Sequence, residues 1–169
     1  MATGTTVEDL RQAYAEEMKN RAMYLAFAET AESEGKPHIA RIFRALAEAE
    51  LIHSRQELRL MGREASTTEN VKFALSVEER EFQDLYARFL QDAEAQGDAE
   101  AAELMGRILK VERGHHQMLK NALIDLLDHD DAAPDRIFVC RECGNTVVGE
   151  QTEPCGICGA QPDSFVEIA

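Results

Sequence analysis

Glutamate and histidine recur at helical spacing in the first 128 residues of the sequence. Glu50 and His53 lie three residues apart, and Glu112 and His115 repeat that spacing. Residues at i and i+3 lie on one face of an α-helix, so each Glu-x-x-His pair presents a carboxylate beside an imidazole. Both groups are ligands of first-row transition metals. The two pairs therefore predict a metal site inside a helical protein.

Two further glutamates precede these pairs at matching distances. Glu17 comes 33 residues before Glu50, and Glu78 comes 34 residues before Glu112. These acids and histidines interrupt apolar stripes at positions where core residues belong. Several ionised carboxylates in one core need protons, ionic partners or cations. One Glu from each of two helices and Glu-x-x-His from each of the other two is the ligand set of di-iron carboxylate bundles, which predicts two ions of iron or manganese.

Four cysteines form a second motif near the C-terminus. Cys140 and Cys143 make one Cys-x-x-Cys-Gly turn, and Cys155 and Cys158 make another. Two such turns let four thiolates reach one tetrahedral ion, which must supply much of the folding free energy of so small a segment. Disulfides are the alternative, which a reducing compartment disfavours. Zinc and iron both accept four thiolates, so the motif predicts a four-cysteine site for either metal.

Four long helices are the elements that must position the acids and histidines. Hydrophobic periodicity predicts them from about Val7 to Ser33, His38 to Met61, Thr68 or Glu69 to Gln96, and Gly97-Asp98 to Asp128. Thr6 and Asp9 are spaced like a capping box at the first helix. Short breaks favour an antiparallel up-and-down four-helix bundle over residues 1–128. The stretch from Gly62 to Thr68 permits a longer connection or an exchange of helices between subunits.

The helical pattern ends before the cysteines. Polar residues predict a linker over 129–136, and short apolar runs beside glycines predict small β-hairpins around a metal over 137–169. The formal charge of −14 opposes binding to nucleic acid or to anionic membranes. The first ten residues lack the features of a secretion signal, and no apolar stretch is long enough to span a membrane. We therefore expect a cytoplasmic protein.

The motifs together resemble the rubrerythrins over essentially the whole chain. The matching residues are Glu17 with Tyr24 seven positions on, Glu50 with His53, Glu78 with Glu81 and then Tyr86, Glu112 with His115, and the four cysteines. The resemblance implies a ferritin-like di-iron domain followed by a rubredoxin-like domain. Taken alone, Glu81 is more often a solvated surface residue than a ligand. The resemblance makes it a seventh metal ligand, and it favours supporting positions behind the ligands for Tyr24 and Tyr86 over simple core packing.

The same resemblance implies an activity. Rubrerythrins reduce hydrogen peroxide to water at the di-iron site, and an electron donor supplies electrons through the iron of the four-cysteine site. It also implies at least a homodimer. Arg141, Gly156 and Asn145 depart from the rubredoxin-like pattern and weaken the case for iron over zinc at the four-cysteine site. Two other functions stay open: a ferritin-like ferroxidase that handles iron, and a non-catalytic zinc-ribbon adaptor.

Overall fold

The structure is a computed structural model that describes residues 4–63, 65–129 and 136–168, without the side chain of His129. Over these ranges the elements are α1 (Thr5–Ser33), α2 (Pro37–Leu60), α3 (Thr67–Arg80), a π-helical turn (Glu81–Leu85), α4 (Tyr86–Gln96), α5 (Ala99–His129), β1 (Ile137–Cys140), β2 (Thr146–Val148), a 3-10 turn (Pro162–Ser164) and β3 (Phe165–Ile168). The chain divides into two compact units, Met1–Ser66 and Thr67–Ala169, called here the first and second units. None of the described helices has the length and apolar character needed to cross a membrane.

Small side chains hold the two helices of the first unit together. Ala28 and Ala31 of α1 are buried against Ala40 of α2, and Phe43 packs on this cluster. Alanine lets two helix backbones approach closely because no larger side chain separates them. The turn between the helices closes where the amide of Lys36 donates to the carbonyl oxygen of Ala31 at 2.8 Å. The first unit is therefore a helical hairpin with an alanine seam.

The ends of α1 and α2 differ in part from the sequence prediction. The helix α1 begins at Thr5 after Gly4, so Thr6 lies inside the helix and the predicted capping box is wrong. Gly4 adopts a φ of 64°, a backbone that glycine reaches at no steric cost. At the other end of the hairpin, the amide of Arg63 donates to the carbonyl oxygen of Leu58 at 3.0 Å. The chain thus stays bonded to α2 as far as Arg63.

A second helical hairpin forms most of the second unit. Its first arm consists of α3, the π-helical turn and α4, and its second arm is α5. Gly97 in the left-handed conformation ends α4, and the side chain of Asp98 accepts a hydrogen bond from the amide of Ala101 at 3.0 Å. The sequence predicts one helix from Thr68 or Glu69 to Gln96, and the structure is helical from Thr67 to Gln96. The π-helical turn at Glu81–Leu85 within this arm is a feature that the periodicity does not reveal.

A three-stranded antiparallel sheet follows α5, with strand order β2-β1-β3. Phe138 pairs with Val147 on one side, and Val139 pairs with Val166 on the other. The predicted β structure around the cysteines is therefore confirmed. Most of the predicted linker, residues 130–135, lies outside the described residues. The predicted domain bounds of 1–128, 129–136 and 137–169 stay predictions.

Candidate metal centres

The first unit brings one Glu-x-x-His pair to the glutamate of the neighbouring helix. Glu17, Glu50 and His53, called here the first triad, offer ligand atoms that lie within 4.8 Å of one another. His53 Nδ1 is 3.1 Å from Glu50 Oε2 and 3.7 Å from Glu17 Oε1. A hydrogen bond between Glu17 and Glu50 raises the pKa of Glu17, with smaller contributions from burial and from the charge of Glu50. Two carboxyl groups this close hold a shared proton or a cation.

The second unit repeats this arrangement. Glu78, Glu112 and His115, called here the second triad, again lie with their ligand atoms within 4.8 Å. His115 Nδ1 is 2.9 Å from Glu112 Oε2 and 3.7 Å from Glu78 Oε2. Burial raises the pKa of Glu78 to about 7, and the hydrogen bond and charge of Glu112 add to this rise. Within the described ranges, Glu78 Oε2 is buried without a hydrogen-bond partner, which leaves it available to a cation.

Residues of the β sheet segment fix the imidazole of the second triad. His115 Nε2 lies 3.3 Å from the carbonyl oxygen of Gly144 and 3.2 Å from the hydroxyl of Thr146. A carbonyl oxygen only accepts, so Nε2–H donates to Gly144, and Nδ1 is the ring nitrogen that faces the two carboxylates. Sequence reasoning missed Gly144 and Thr146. No local signal marks them, because they follow His115 by 29 and 31 residues.

Both triads fit a divalent first-row metal. Two ligands at right angles on an ion with bonds of about 2.1 Å lie about 3.0 Å apart. The shorter Nδ1 to carboxylate distances are 3.1 Å in the first triad and 2.9 Å in the second. A ring nitrogen lone pair and a carboxylate oxygen repel each other at this distance unless a proton or a metal ion lies with them. The donor types and their spacing therefore suit iron or manganese.

Glu81, the seventh predicted bundle ligand, lies outside the atoms of the second triad. It is the first residue of the π-helical turn. Burial raises its pKa, and the charge of Glu112 is the next largest cause. π-helical turns are rare and occur often at functional sites. The role of Glu81 as a ligand stays a prediction.

The two predicted supporting tyrosines lie in different units. Burial raises the pKa of Tyr86, and the charges of Glu112 and Glu81 add to this effect, so Tyr86 lies in the electrostatic field of the second triad. Tyr86 also contacts Phe89 edge to face at 6.0 Å between ring centroids. Tyr24 belongs to the first unit and stacks on Phe43 at 6.2 Å. Their supporting roles stay predictions.

Glu57 of α2 also lies on the apolar stripe of its helix, where the sequence allows either a supporting position behind the ligands or, as we expect, a solvated end of the bundle. The side chain is instead half-buried, and its Oε2 atom lacks a hydrogen-bond partner in the part of the chain that the structure describes. Its charge also raises the pKa of Glu17. A third acid therefore lies near the first triad.

The four cysteine sulfurs are spaced like the ligands of one tetrahedral metal ion. Cys140 Sγ is 3.8 Å from Cys158 Sγ, and Cys143 Sγ is 3.6 Å from Cys155 Sγ. Four sulfurs placed tetrahedrally at about 2.3 Å from an ion lie about 3.8 Å apart. All four thiols are free in the described chain, so the disulfide alternative does not apply.

Local hydrogen bonds prepare one of these sulfurs for a metal. Burial alone would raise the pKa of Cys155, but amide hydrogen bonds from Cys158 and Ile157, joined by hydrogen bonds with neighbouring thiols, lower it to about 7. The side-chain amide of Asn145 also donates to Cys155 Sγ at 3.7 Å. Asn145 therefore donates a hydrogen bond to a predicted metal ligand, although this residue departs from the rubredoxin-like pattern.

Two Glu/Glu/His triads on long helices and a four-cysteine site on a small sheet define a ferritin-like di-iron carboxylate protein with a rubredoxin-like domain. The chain belongs to the rubrerythrin family, whose family model, described as Rubrerythrin, matches residues 8–123. Nigerythrin of Nitratidesulfovibrio vulgaris is 33% identical over 97% of this chain and 87% of its own length. Rubrerythrin-2 of Clostridium acetobutylicum is 27% identical over 95% of both chains.

Solved structures agree with the sequence relatives. A mixed-valence state of nigerythrin matches 99% of this chain and 88% of its own, with a TM-score of 0.58 and 30% identity. The fully reduced, all-ferrous state of nigerythrin gives a TM-score of 0.58 as well. The predicted family and fold class are confirmed, as are the predicted cofactors, a di-iron centre and a rubredoxin-like iron. Family membership supports a di-iron oxidoreductase of oxidative stress defence.

The buried acid of the second triad gives the metal-free protein a pH-dependent stability. The pKa of Glu78 is about 7 in the folded protein, above its ordinary value of 4.5, so the folded state holds this proton more tightly than the unfolded state. The free energy of unfolding therefore falls as pH rises from 4.5 to about 7. We expect the melting temperature of the chelated protein, followed by far-UV circular dichroism, to fall over the same pH interval. The melting temperature of Glu78→Gln should fall less.

The control for this measurement is Glu79→Gln, because Glu79 is the exposed neighbour of Glu78 on the same helix. The melting temperature of Glu79→Gln should equal that of the wild type at each pH. Equal pH slopes for Glu78→Gln and the wild type would contradict the assignment of the effect to Glu78.

Proposed function

We propose that the protein is a di-iron peroxidase that reduces hydrogen peroxide to water, with electrons entering through the four-cysteine site. The reaction takes two electrons and two protons for each peroxide and releases two waters. Two ferrous ions held by the triads would supply the two electrons that break the O–O bond. The observation that carries the proposal is the hydrogen bond between His115 and Gly144, because it joins a metal-ligating imidazole to the segment that bears the cysteines.

The two triads together supply a complete ligand set for this chemistry. Each triad alone offers two carboxylates and one imidazole. We propose that a first triad and a second triad together hold two irons, with Glu81 as the seventh ligand. The carboxylates would balance a change in the charge of the centre, and the two histidines, one from each triad, would complete its ligand set.

The four-cysteine site has a short path to the second triad. Cys143 is followed directly by Gly144, whose carbonyl oxygen accepts the hydrogen bond from His115 Nε2. On the other side of the ring, Nδ1 faces Glu112 at 2.9 Å. One hydrogen bond and a few covalent bonds therefore connect a cysteine ligand with a bundle ligand. A protein that only stores iron has no need of such a path.

Tyr86 is suited to keep a proton beside the centre. Burial raises its pKa above the ordinary value of 10.0, so the phenol stays protonated at neutral pH. A neutral phenol can donate a hydrogen bond to an oxygen that gains charge as the O–O bond breaks. Tyr24 lies two helical turns after Glu17 on the same face of α1 and is proposed for a similar role in the first unit.

The cellular setting belongs to the same proposal. We infer a cytoplasmic homodimer that takes electrons from a reductase or a small electron-donor protein. The net charge of −14 opposes binding to nucleic acid and to anionic membranes.

Anaerobic metal analysis and rapid mixing test the proposed reaction. The protein purified without oxygen should contain about three irons per chain, two in the bundle and one at the four-cysteine site. After reduction, hydrogen peroxide should reoxidise the bundle irons faster than dioxygen does, as followed by stopped-flow absorbance. Faster reoxidation by dioxygen would favour the ferroxidase. Zinc at the four-cysteine site with no metal in the bundle would favour the adaptor.

Glu81→Ala tests the seventh ligand. We expect peroxide to reoxidise the bundle irons of this variant at least about tenfold more slowly, because the centre loses a carboxylate that stabilises its oxidised charge. The visible absorbance of the iron at the four-cysteine site should not change. Glu79→Ala, at an exposed position of the same helix, should react like the wild type. Unchanged kinetics in Glu81→Ala would remove Glu81 from the centre.

Zinc at the four-cysteine site separates electron entry from peroxide reduction. A protein with zinc in the cysteines and iron in the bundle should still be reoxidised once by peroxide, because its triads are intact. Zinc has no accessible redox change, so steady-state turnover with an external reductant should be lost. The all-iron protein under the same conditions is the control. Undiminished steady-state turnover would show that electrons reach the bundle by another route.

A further inference from the structure

The two triads differ in what holds the imidazole from behind. In the first triad the side chain of His53 is 54% exposed, and within the described ranges its polar contacts are those of Nδ1 with the two glutamates of the triad. In the second triad the side chain of His115 is 24% exposed, and its Nε2 atom contacts Gly144 and Thr146. The sheet segment therefore supports one of two otherwise matching sites.

The hydroxyl of Thr146 has the geometry of a support for this ring. It lies 3.2 Å from His115 Nε2 and 3.3 Å from the carbonyl oxygen of Gly144. A hydroxyl has one proton and two lone pairs. Because the carbonyl oxygen only accepts, the hydroxyl donates its proton to Gly144, and its lone pairs remain free to accept from Nε2–H. The two acceptors together fix the plane of the imidazole, and in a neutral ring they leave Nδ1 as the metal-binding nitrogen.

The segment that carries these acceptors is built around the cysteines. Gly144 ends the first Cys-x-x-Cys-Gly turn. Its amide donates to the carbonyl oxygen of Cys140 at 2.9 Å, and the amide of Cys140 donates to the carbonyl oxygen of Asn145 at 2.9 Å. Thr146 follows as the first residue of β2 and pairs with Val139. Both acceptors therefore depend on the fold of a turn that presents cysteine ligands.

That fold depends in turn on a metal ion. Within the described range 136–168 the buried residues are Cys140 and Cys155 alone. The four thiols of this range are free, so no disulfide joins its two turns. A segment this short does not bury enough apolar surface to fold by itself. Since its core consists of thiols, the ion that the thiols bind supplies much of its folding free energy.

The same turn lies against the helix of the second triad. Val111 precedes His115 by four residues, so the two lie on one face of α5. Val111 is 3% exposed. Gly144 has a φ of 79°, and a Cβ added to it would lie 4.0 Å from Val111 Cγ1. The backbone of the turn thus approaches α5 beside the ligand that it supports.

We propose that Thr146 is a positioning residue for His115, and that the metal of the four-cysteine site raises the metal affinity of the second triad by folding the segment that carries Thr146. Loss of a hydrogen-bond partner behind a ligating histidine typically weakens metal binding about 10- to 100-fold. By linkage, metal in the second triad also strengthens metal binding by the cysteines. This inference rests on the di-metal centre of the proposed function, and it adds that the four-cysteine site completes that centre besides passing electrons to it.

Metal titration of variants of similar size tests the role of Thr146. The starting protein holds zinc at the four-cysteine site and an empty bundle. Mn²⁺ is the probe, because carboxylate-rich sites bind it while thiolates prefer zinc, and free Mn²⁺ is measured by electron paramagnetic resonance. Thr146→Val exchanges the hydroxyl for a methyl group and should bind one of the two bundle ions about tenfold more weakly than the wild type. Thr146→Ser keeps a hydroxyl and should bind Mn²⁺ like the wild type.

The matched control is Thr152→Val, at an exposed position of the same segment, and its Mn²⁺ affinity should equal that of the wild type. Equal affinities in Thr146→Val and Thr152→Val, or a loss that is the same in Thr146→Ser, would overturn the positioning role. A protein that shows the expected affinities but does not reduce peroxide would overturn the proposed reaction and leave this inference supported. A wild type whose bundle takes up no Mn²⁺ would overturn both.

Removal of the cysteine metal tests the dependence between the two sites. Cys143→Ser with Cys158→Ser takes one sulfur from each turn and should abolish zinc binding there. The Mn²⁺ affinity of the bundle should then fall at least as far as in Thr146→Val, because the segment that holds both acceptors is no longer folded. Adding Thr146→Val to this variant should cause no further loss, since both changes act through one contact. Undiminished Mn²⁺ affinity without zinc, or losses that add, would overturn the dependence.

Discussion

The repulsion between paired carboxylates is the constraint on which this structure depends. Glu17 and Glu50 share a hydrogen bond in the first unit, and Glu78 and Glu112 do so in the second. Two ionised carboxylates cannot stay in contact while half-buried, so each pair keeps a proton or a cation. The folded chain thus bears a cost that a divalent ion removes. Metal binding is therefore linked directly to stability.

The alanine seam of the first hairpin explains how two charged helices can lie so close. Burial of Ala40 and Ala47 in α2 brings the backbones together without large side chains between them. Close backbones in turn hold Glu17 near His53, at 3.7 Å from Nδ1. The size of these residues therefore sets the distance between the two helices that carry the ligands of the first triad.

Much of this arrangement is readable from the sequence because it is local. Spacing of three residues puts Glu50 with His53 and Glu112 with His115, and the Cys-x-x-Cys-Gly turns pair their thiols in the same way. Other features depend on packing between distant residues. The contact of His115 with Gly144 has no sequence pattern, because the two residues are 29 positions apart. The π-helical turn could not be predicted from the sequence either, because its residues are ordinary helix formers.

The π-helical turn has a consequence for the evolution of the second unit. A π turn bonds each amide one residue further back than an α-helix does, so it accommodates one extra residue in the same rise. Removal of a single residue from Glu81–Leu85 would therefore restore an ordinary helix and leave the residues that follow near their present positions. The same deletion in an α-helical part of the arm would rotate all that follows by about 100°. One codon can thus be lost from the π-helical turn without moving Tyr86 away from the side of the helix that bears Glu78.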